Sequence, residues 1–252
     1  MTTSFRGGSA EAPSRIRYVS RSLELCSVLT DVDIESIGFE DLGDIVLPPG
    51  DMKASLERIE RVIAELLSEN RIVFAVGGEH TITLPAFKSL SRKSRKACLL
   101  VFDAHADLRD EYMGSKYNHA TVIRRIAEET NGKIVVVGAR ALSREELIEY
   151  KKLMNYVNIV RIYGDYLPVT TFSLREALKE CTDIYVSLDI DVIDPSFAPG
   201  VQTPEPLGMS SIMLLRMLSE VIDSRVRMVD IVEVTPRSVS YTHLTLPTSD
   251  LV

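Results

Sequence analysis

Three short apolar runs, at residues 72–76, 97–102 and 183–188, each stop at side chains that bind metals or protons. Runs of this length, rich in Val, Ile and Leu, read as strands buried on both faces. The first leads into Gly77-Gly78-Glu79-His80, the second into Asp103-Ala104-His105-Ala106-Asp107, and the third into Asp189-Ile190-Asp191. In extended chain, residues i, i+2 and i+4 point the same way. Asp103 and His105 therefore converge, and so does Asp107 if the extended geometry continues; Asp189 and Asp191 form a like pair. The two glycines allow a tight turn where backbone passes close to a neighbour.

Between these runs the chain alternates helical and strand patterns. Residues 51–70 carry Leu56, Ile59, Val62, Ile63, Leu66 and Leu67 at helical spacing, with Asn70 as a stop. Helices are also expected at 14–29, capped by Ser14, at 81–91, at 119–130 behind Asn118, at 143–154, at 171–181 and at 210–223. Ser143-Arg144-Glu145-Glu146 reads as a capping box. Further strands are expected at 44–47, 133–138, 157–162 and 228–234, and 108–118 reads as a loop over a site. Alternation of this kind means βαβ units around a mainly parallel sheet, an α/β fold. Such sheets gather ligands at the carboxyl ends of their strands. One edge would then hold His80, Asp103, His105, Asp107, Asp189 and Asp191.

Two imidazoles and four carboxylates are more than one cation takes from protein. They suit two divalent cations about 3.5–4 Å apart with bridging carboxylates, and a water between such ions loses a proton near neutral pH. The oxygen-rich donor set favours Mn²⁺ over zinc. A net charge of −7 speaks against nucleic-acid binding. No apolar run reaches the roughly 20 residues that span a bilayer, so no membrane partner is expected. Cys26, Cys98 and Cys181 are scattered and odd in number; Cys98 and Cys181 fall in or beside strands and read as buried thiols rather than a disulfide. With an N-terminus that lacks a signal-peptide core, the expected compartment is the cytoplasm.

The three strand-end motifs, together with Ser187-Leu188 ahead of Asp189, Val192-Ile193-Asp194-Pro195 behind Asp191, Ala198-Pro199-Gly200 and Thr203-Pro204-Glu205, resemble the signatures of the ureohydrolase family, which holds arginase and agmatinase. The likeness runs over residues 3–237. It implies a three-layer α/β/α fold, a mainly parallel sheet of about eight strands in the family, and a binuclear Mn²⁺ centre. His80 and Asp107 would hold one ion, His105 and Asp191 the other, with Asp103 and Asp189 bridging. His119 stands at the position of the family's proton-shuttling histidine, and Glu233 resembles the glutamate that grips the guanidinium. The implied reaction releases urea and an amine from a guanidino substrate, and the implied assembly is a trimer or hexamer. The loop after Asp107 resembles that of agmatinases, and its Asp110 and Glu111 suit a second positive charge on the substrate. Agmatine, cleaved to putrescine and urea, is the expected substrate, ahead of arginine or guanidinobutyrate.

The chain departs from the family pattern at both ends. It begins after the family's first strand. Thr235-Pro236 replaces the usual Asn-Pro, and after Arg237 the resemblance stops. Residues 1–237 are thus expected to form one N-terminally incomplete domain, and 238–252 an artefactual tail in place of the C-terminal element. A catalytically inactive, metal-binding fragment is the rival reading from another class. A two-metal phosphatase would need a phosphate-cradling Gly loop or an Arg clamp, and neither is evident.

Overall fold

Leu99, Leu100, Val101 and Phe102 are completely buried, as a strand with apolar residues on both faces requires. They form the middle of the sheet in the computed structural model, which describes residues 7–27, 31–161, 164 and 174–236. Among the described residues the sheet has six strands: β1 (Val73–Val76), β2 (Ala97–Phe102), β3 (Lys133–Val137), β4 (Val157–Val160), β5 (Asp183–Asp189) and β6 (Val226–Val232). All neighbours are parallel, in the order β1-β6-β5-β2-β3-β4. The family's figure of about eight strands exceeds the number described here. β1 lies at the sheet edge with Phe74 half exposed.

The eight helices described are α1 (Ala12–Ser20), α2 (Ile34–Ile37), α3 (Met52–Ser68), α4 (Thr83–Lys93), α5 (Val122–Glu129), α6 (Arg144–Leu153), α7 (Leu174–Ala177) and α8 (Ser211–Val221). Side chains alternate along β2. Leu99 and Val101 join Ile59, Ile63, Phe87 and Ile126 of α3, α4 and α5 on one face. Cys98, Leu100 and Phe102 join Leu174, Leu214 and Leu218 of α7 and α8 on the other. These are the three layers of the expected fold.

Local signals account for several helix ends. Asp51 accepts the Ala54 N–H at the start of α3, and Asn70 takes a left-handed φ of 58° just past its end. Ser143 and Glu146 form the capping box of α6. Other expectations are corrected. The helix expected at 14–29 begins at Ala12, with Pro13 in its first turn, and ends at Ser20; Ser14 lies inside it rather than capping it. The 44–47 segment is no strand: Val46 and Leu47 are exposed, and among the described residues nothing pairs with them in a ladder. The helix expected at 171–181 is described only over Leu174–Ala177, and that expected at 119–130 opens with a 3₁₀ turn at His119–Thr121.

Cys98 and Cys181 are bonded to each other, which corrects the reading as thiols; their Cα atoms lie 5.7 Å apart. The register explains it. β2 lies beside β5 with Cys98 opposite Ile184, which brings Cys181, just ahead of β5, within reach although 83 residues away in sequence. Cys26 is exposed and free. No helix among the described residues is long and apolar enough to cross a membrane. The expectations about residues 1–6 and the 238–252 tail lie outside the described residues.

Candidate active site

The connections reverse direction between β2 and β5: β2 continues to β3 on one side, β5 to β6 on the other. That switch point opens a crevice at the carboxyl edge of the sheet. Asp103 and His105 follow β2, and Asp189 and Asp191 end and follow β5, so the two motifs meet across it. His80 arrives after β1 in a 3₁₀ turn, His80–Ile82. The chain passes tightly here, because a Cβ on Gly77 would lie 2.3 Å from the Ile82 side chain and 3.0 Å from that of Val232.

Three of the carboxylates share one local design. One oxygen accepts a backbone N–H and the other faces an imidazole. Asp103 Oδ1 accepts from His105 N at 2.6 Å, Asp189 Oδ1 from Asp191 N at 3.0 Å, and Asp191 Oδ1 from Ala104 N at 3.0 Å. Short side chains at strand ends favour such bonds. The second oxygens of Asp103 and Asp189 lie 3.1 and 3.4 Å from His80 Nδ1, and that of Asp191 lies 3.0 Å from His105 Nδ1. Asp107 does not continue the extended run. Its φ of 50° is left-handed, a conformation Asp tolerates, and the turn carries its Oδ2 to 3.2 Å from His80 Nδ1.

His80, Asp103 and Asp107 can offer atoms mutually within 4.8 Å, and so can Asp103, His105 and Asp191. Asp103 belongs to both groups. His80 Nδ1 and Asp103 Oδ2 are buried and face each other, yet neither makes a hydrogen bond. Two buried polar atoms 3.1 Å apart, both without a hydrogen-bond partner, fit a cation held by the pair. The donor set thus fits a pair of divalent cations.

Charge supports the same fit. Burial, then the charges of Asp191 and Asp103, push the Asp189 carboxyl well above the usual carboxylate range. Burial and Asp103 push Asp107 to about 7. Burial disfavours charge on His80, but the facing Asp103, Asp107 and Asp189 outweigh it and raise its pKa well above the ordinary imidazole value. His105 is raised likewise by Asp191 and Asp103 against its burial. Asp103 is lowered, since His105 and His80 outweigh its burial.

A stability prediction follows. Groups raised in the folded state bind protons more tightly there than in the unfolded chain, so they stabilise the fold at low pH and lose that contribution as pH rises through their folded values. Asp107, Asp189, His80 and His105 share this sign. The melting temperature of the cation-free protein should therefore fall as pH rises from about pH 6 through the folded values of these groups, and saturating Mn²⁺ should remove most of that slope. Thermal denaturation at a series of pH values with chelator or Mn²⁺ checks it; a cation-free Tm that rises over this range contradicts it.

Glu233 follows β6 with a φ of 62° and is buried. Its Oε1 accepts the His80 N–H at 2.7 Å, which puts it against the cluster. Burial, with Glu79 and Asp191 nearby, raises its pKa to about 8. His119 is held below the ordinary imidazole value by burial, against the pull of Glu79, and its ring meets Tyr112 edge-on at 5.8 Å. Asn118 ahead of it donates to the carbonyls of Tyr112 and Ser115, which folds the 112–118 loop.

Asp110 is placed otherwise than the sequence suggests: its carboxylate pairs with Arg125 at 2.8 Å and Arg124 at 3.5 Å rather than facing the crevice as a lone anion. Two residues were missed as parts of the site. Arg140 gives all its hydrogen bonds to carbonyls, those of Gly138, Asp191, Val192, Glu205 and Pro206, and so ties the end of β3 to the Asp191 loop. Its signal was a lone Arg just past a buried strand. Glu205 lies 3.7 Å from His105 Nε2.

The arginase family profile matches residues 1–245. The agmatinase of Halalkalibacterium halodurans is 37% identical over 240 residues, which are 93% of this chain and 80% of that protein. The guanidinopropionase of Pseudomonas aeruginosa is 32% identical over 250 residues, covering 93% and 76%. The crystal structure of agmatine ureohydrolase from Thermoplasma volcanium is 32% identical, with a TM-score of 0.82, and the match covers 99% of this chain and 82% of that one. Matched in sequence and fold over nearly its whole length, the chain belongs to the arginase family and is an agmatinase-like ureohydrolase.

Proposed function

We propose that this protein hydrolyses agmatine to putrescine and urea, with two Mn²⁺ ions per subunit. The observation that carries the reading is the pair of ligand groups sharing Asp103. His80 and Asp107 would hold one ion and His105 and Asp191 the other, with Asp103 and Asp189 shared between them. When bound, the two ions supply positive charge and an acidified water. Glu233 fixes the planar guanidinium through a charge-assisted pair, and the arriving cation draws its carboxyl back to the ionised form. The water oxygen adds to the guanidinium carbon and the bond to the alkyl nitrogen breaks. That nitrogen leaves with a proton handed on by His119. Residues 1–237 act as one domain, in a cytoplasmic homo-oligomer that serves polyamine synthesis.

One observation favours a second guanidino substrate. With Asp110 paired to Arg125, only Glu111 of the two acidic loop residues remains for a distal amine. Guanidinobutyrate and arginine, whose distal ends carry a carboxylate, therefore belong in the same test. Urea release is measured with Mn²⁺ on all three compounds. The reading expects kcat/KM for agmatine to exceed the others by about tenfold or more, a difference of about 1.4 kcal/mol. A preference for guanidinobutyrate or arginine replaces the substrate. No urea from any of them, with Mn²⁺ still bound tightly, makes the protein a metal-binding fragment.

A further inference from the structure

Asp230 is a carboxylate in the interior of β6 with no exposed surface, and the reaction described above gives it no task. Burying such a group is costly unless its partners are fixed. Its partners are three hydroxyls. Oδ2 accepts from Thr83 Oγ1 at 2.7 Å and, over a short contact, from Tyr185 OH; Oδ1 accepts from Ser187 Oγ at 2.7 Å. Ser187 lies opposite Asp230 in the β5–β6 register, and its Oγ is 3.1 Å from His80 Nε2.

The proton directions along this chain are determined. The hydroxyls of Thr83, Tyr185 and Ser187 are the donors and the Asp230 oxygens the acceptors, so each hydroxyl directs its one proton to Asp230. Thr83 Oγ1 also lies 3.3 Å from Ser187 Oγ, but its shorter bond is to Asp230. The Ser187 oxygen keeps only lone pairs, and it can meet His80 only by accepting the Nε2–H. In the neutral ring, the form that binds a cation, the unprotonated nitrogen is then Nδ1, the atom facing Asp103, Asp107 and Asp189. We propose that Asp230, acting through Ser187, is a positioning residue that fixes the tautomer of His80 and so presents its Nδ1 lone pair to the cation site. Outer partners of this kind orient a ligating imidazole and strengthen its hold on metal. The inference rests on the reading of His80 as a cation ligand.

The test is Mn²⁺ uptake by the chelator-stripped full chain, followed through the electron paramagnetic resonance signal of free Mn²⁺. The wild type should take up two ions. Ser187→Ala and Asp230→Asn should each weaken uptake of one of the two by about 10- to 100-fold and leave the other unchanged. Tyr185→Phe removes a donor from the same carboxylate but not the Ser187 link, and should bind both ions like the wild type. Circular dichroism checks that each variant is folded; Ser187→Ala, which removes one oxygen, decides the matter if Asp230→Asn is not. Wild-type uptake by folded Ser187→Ala or Asp230→Asn overturns the proposal, and so does a loss in Tyr185→Phe equal to that in Asp230→Asn. Absence of uptake by the wild type overturns the cation site itself and the relay with it, whereas intact wild-type uptake confines any failure to the relay.

Discussion

Asp103→Asn lowers kcat for guanidine hydrolysis by about 10³-fold or more, some 4 kcal/mol of barrier, and Mn²⁺ uptake falls from two ions to one or none. Asp103 is the one residue common to both ligand groups, so neither site survives its loss intact. An amide keeps the shape and can still accept the His105 N–H through its oxygen, but it cannot supply a second anionic oxygen facing His80. In the cation-free protein Asp103 raises the pKa of both Asp107 and Asp189 by repulsion. Removing that charge relieves like-charge crowding but gives up the attraction of His80 and His105 that lowers the Asp103 pKa, so the two effects oppose each other in the stripped protein. What the variant loses is stabilisation by the ions, about 4 kcal/mol at a thousand times their dissociation constant. Thermal melts with and without Mn²⁺, beside urea-release kinetics, separate this loss from the loss of activity. A variant that keeps two ions and wild-type kcat refutes the shared-ligand assignment.

Glu233→Gln should lower kcat/KM by about 10²- to 10³-fold, or about 3–4 kcal/mol, while both ions still bind. The carboxylate is buried against the backbone of His80, and Gln fits the same volume and can still accept that N–H. The variant lacks the negative charge that a buried guanidinium needs opposite it. Without substrate that charge is a burden, as the rise of the Glu233 pKa to about 8 records. Stability of the substrate-free enzyme should therefore hold or improve as activity falls. A loss of Mn²⁺ uptake equal to the loss of activity would move Glu233 from the substrate to the cations.

Several features were legible because their signals are local. The β2 run and its Asp-Ala-His-Ala-Asp end lie within eleven residues, and the period-two geometry of a strand places Asp103 and His105 together without reference to the rest of the chain. The capping box of α6 and the amphipathic face of α3 are likewise written in consecutive residues. Periodicity carried less in 14–29 and 44–47, where apolar residues occur without a surface to cover, and there the helix stops early and no strand forms.

By itself, then, the sequence determined the parallel α/β arrangement, through its alternation of strand and helix patterns, and set six His and Asp side chains just past strands, through spacing within single segments. Tertiary structure alone decided the partners. The strand order sets β5 between β6 and β2, which joins Cys98 to Cys181, Ser187 to Asp230, and the Asp103 motif to the Asp191 motif. It also diverts Asp110 to Arg125 and sends Arg140 into the carbonyls of the Asp191 loop. Each of these pairings depends on which strand or helix comes to lie alongside, a property of the packed chain that no short window of residues contains.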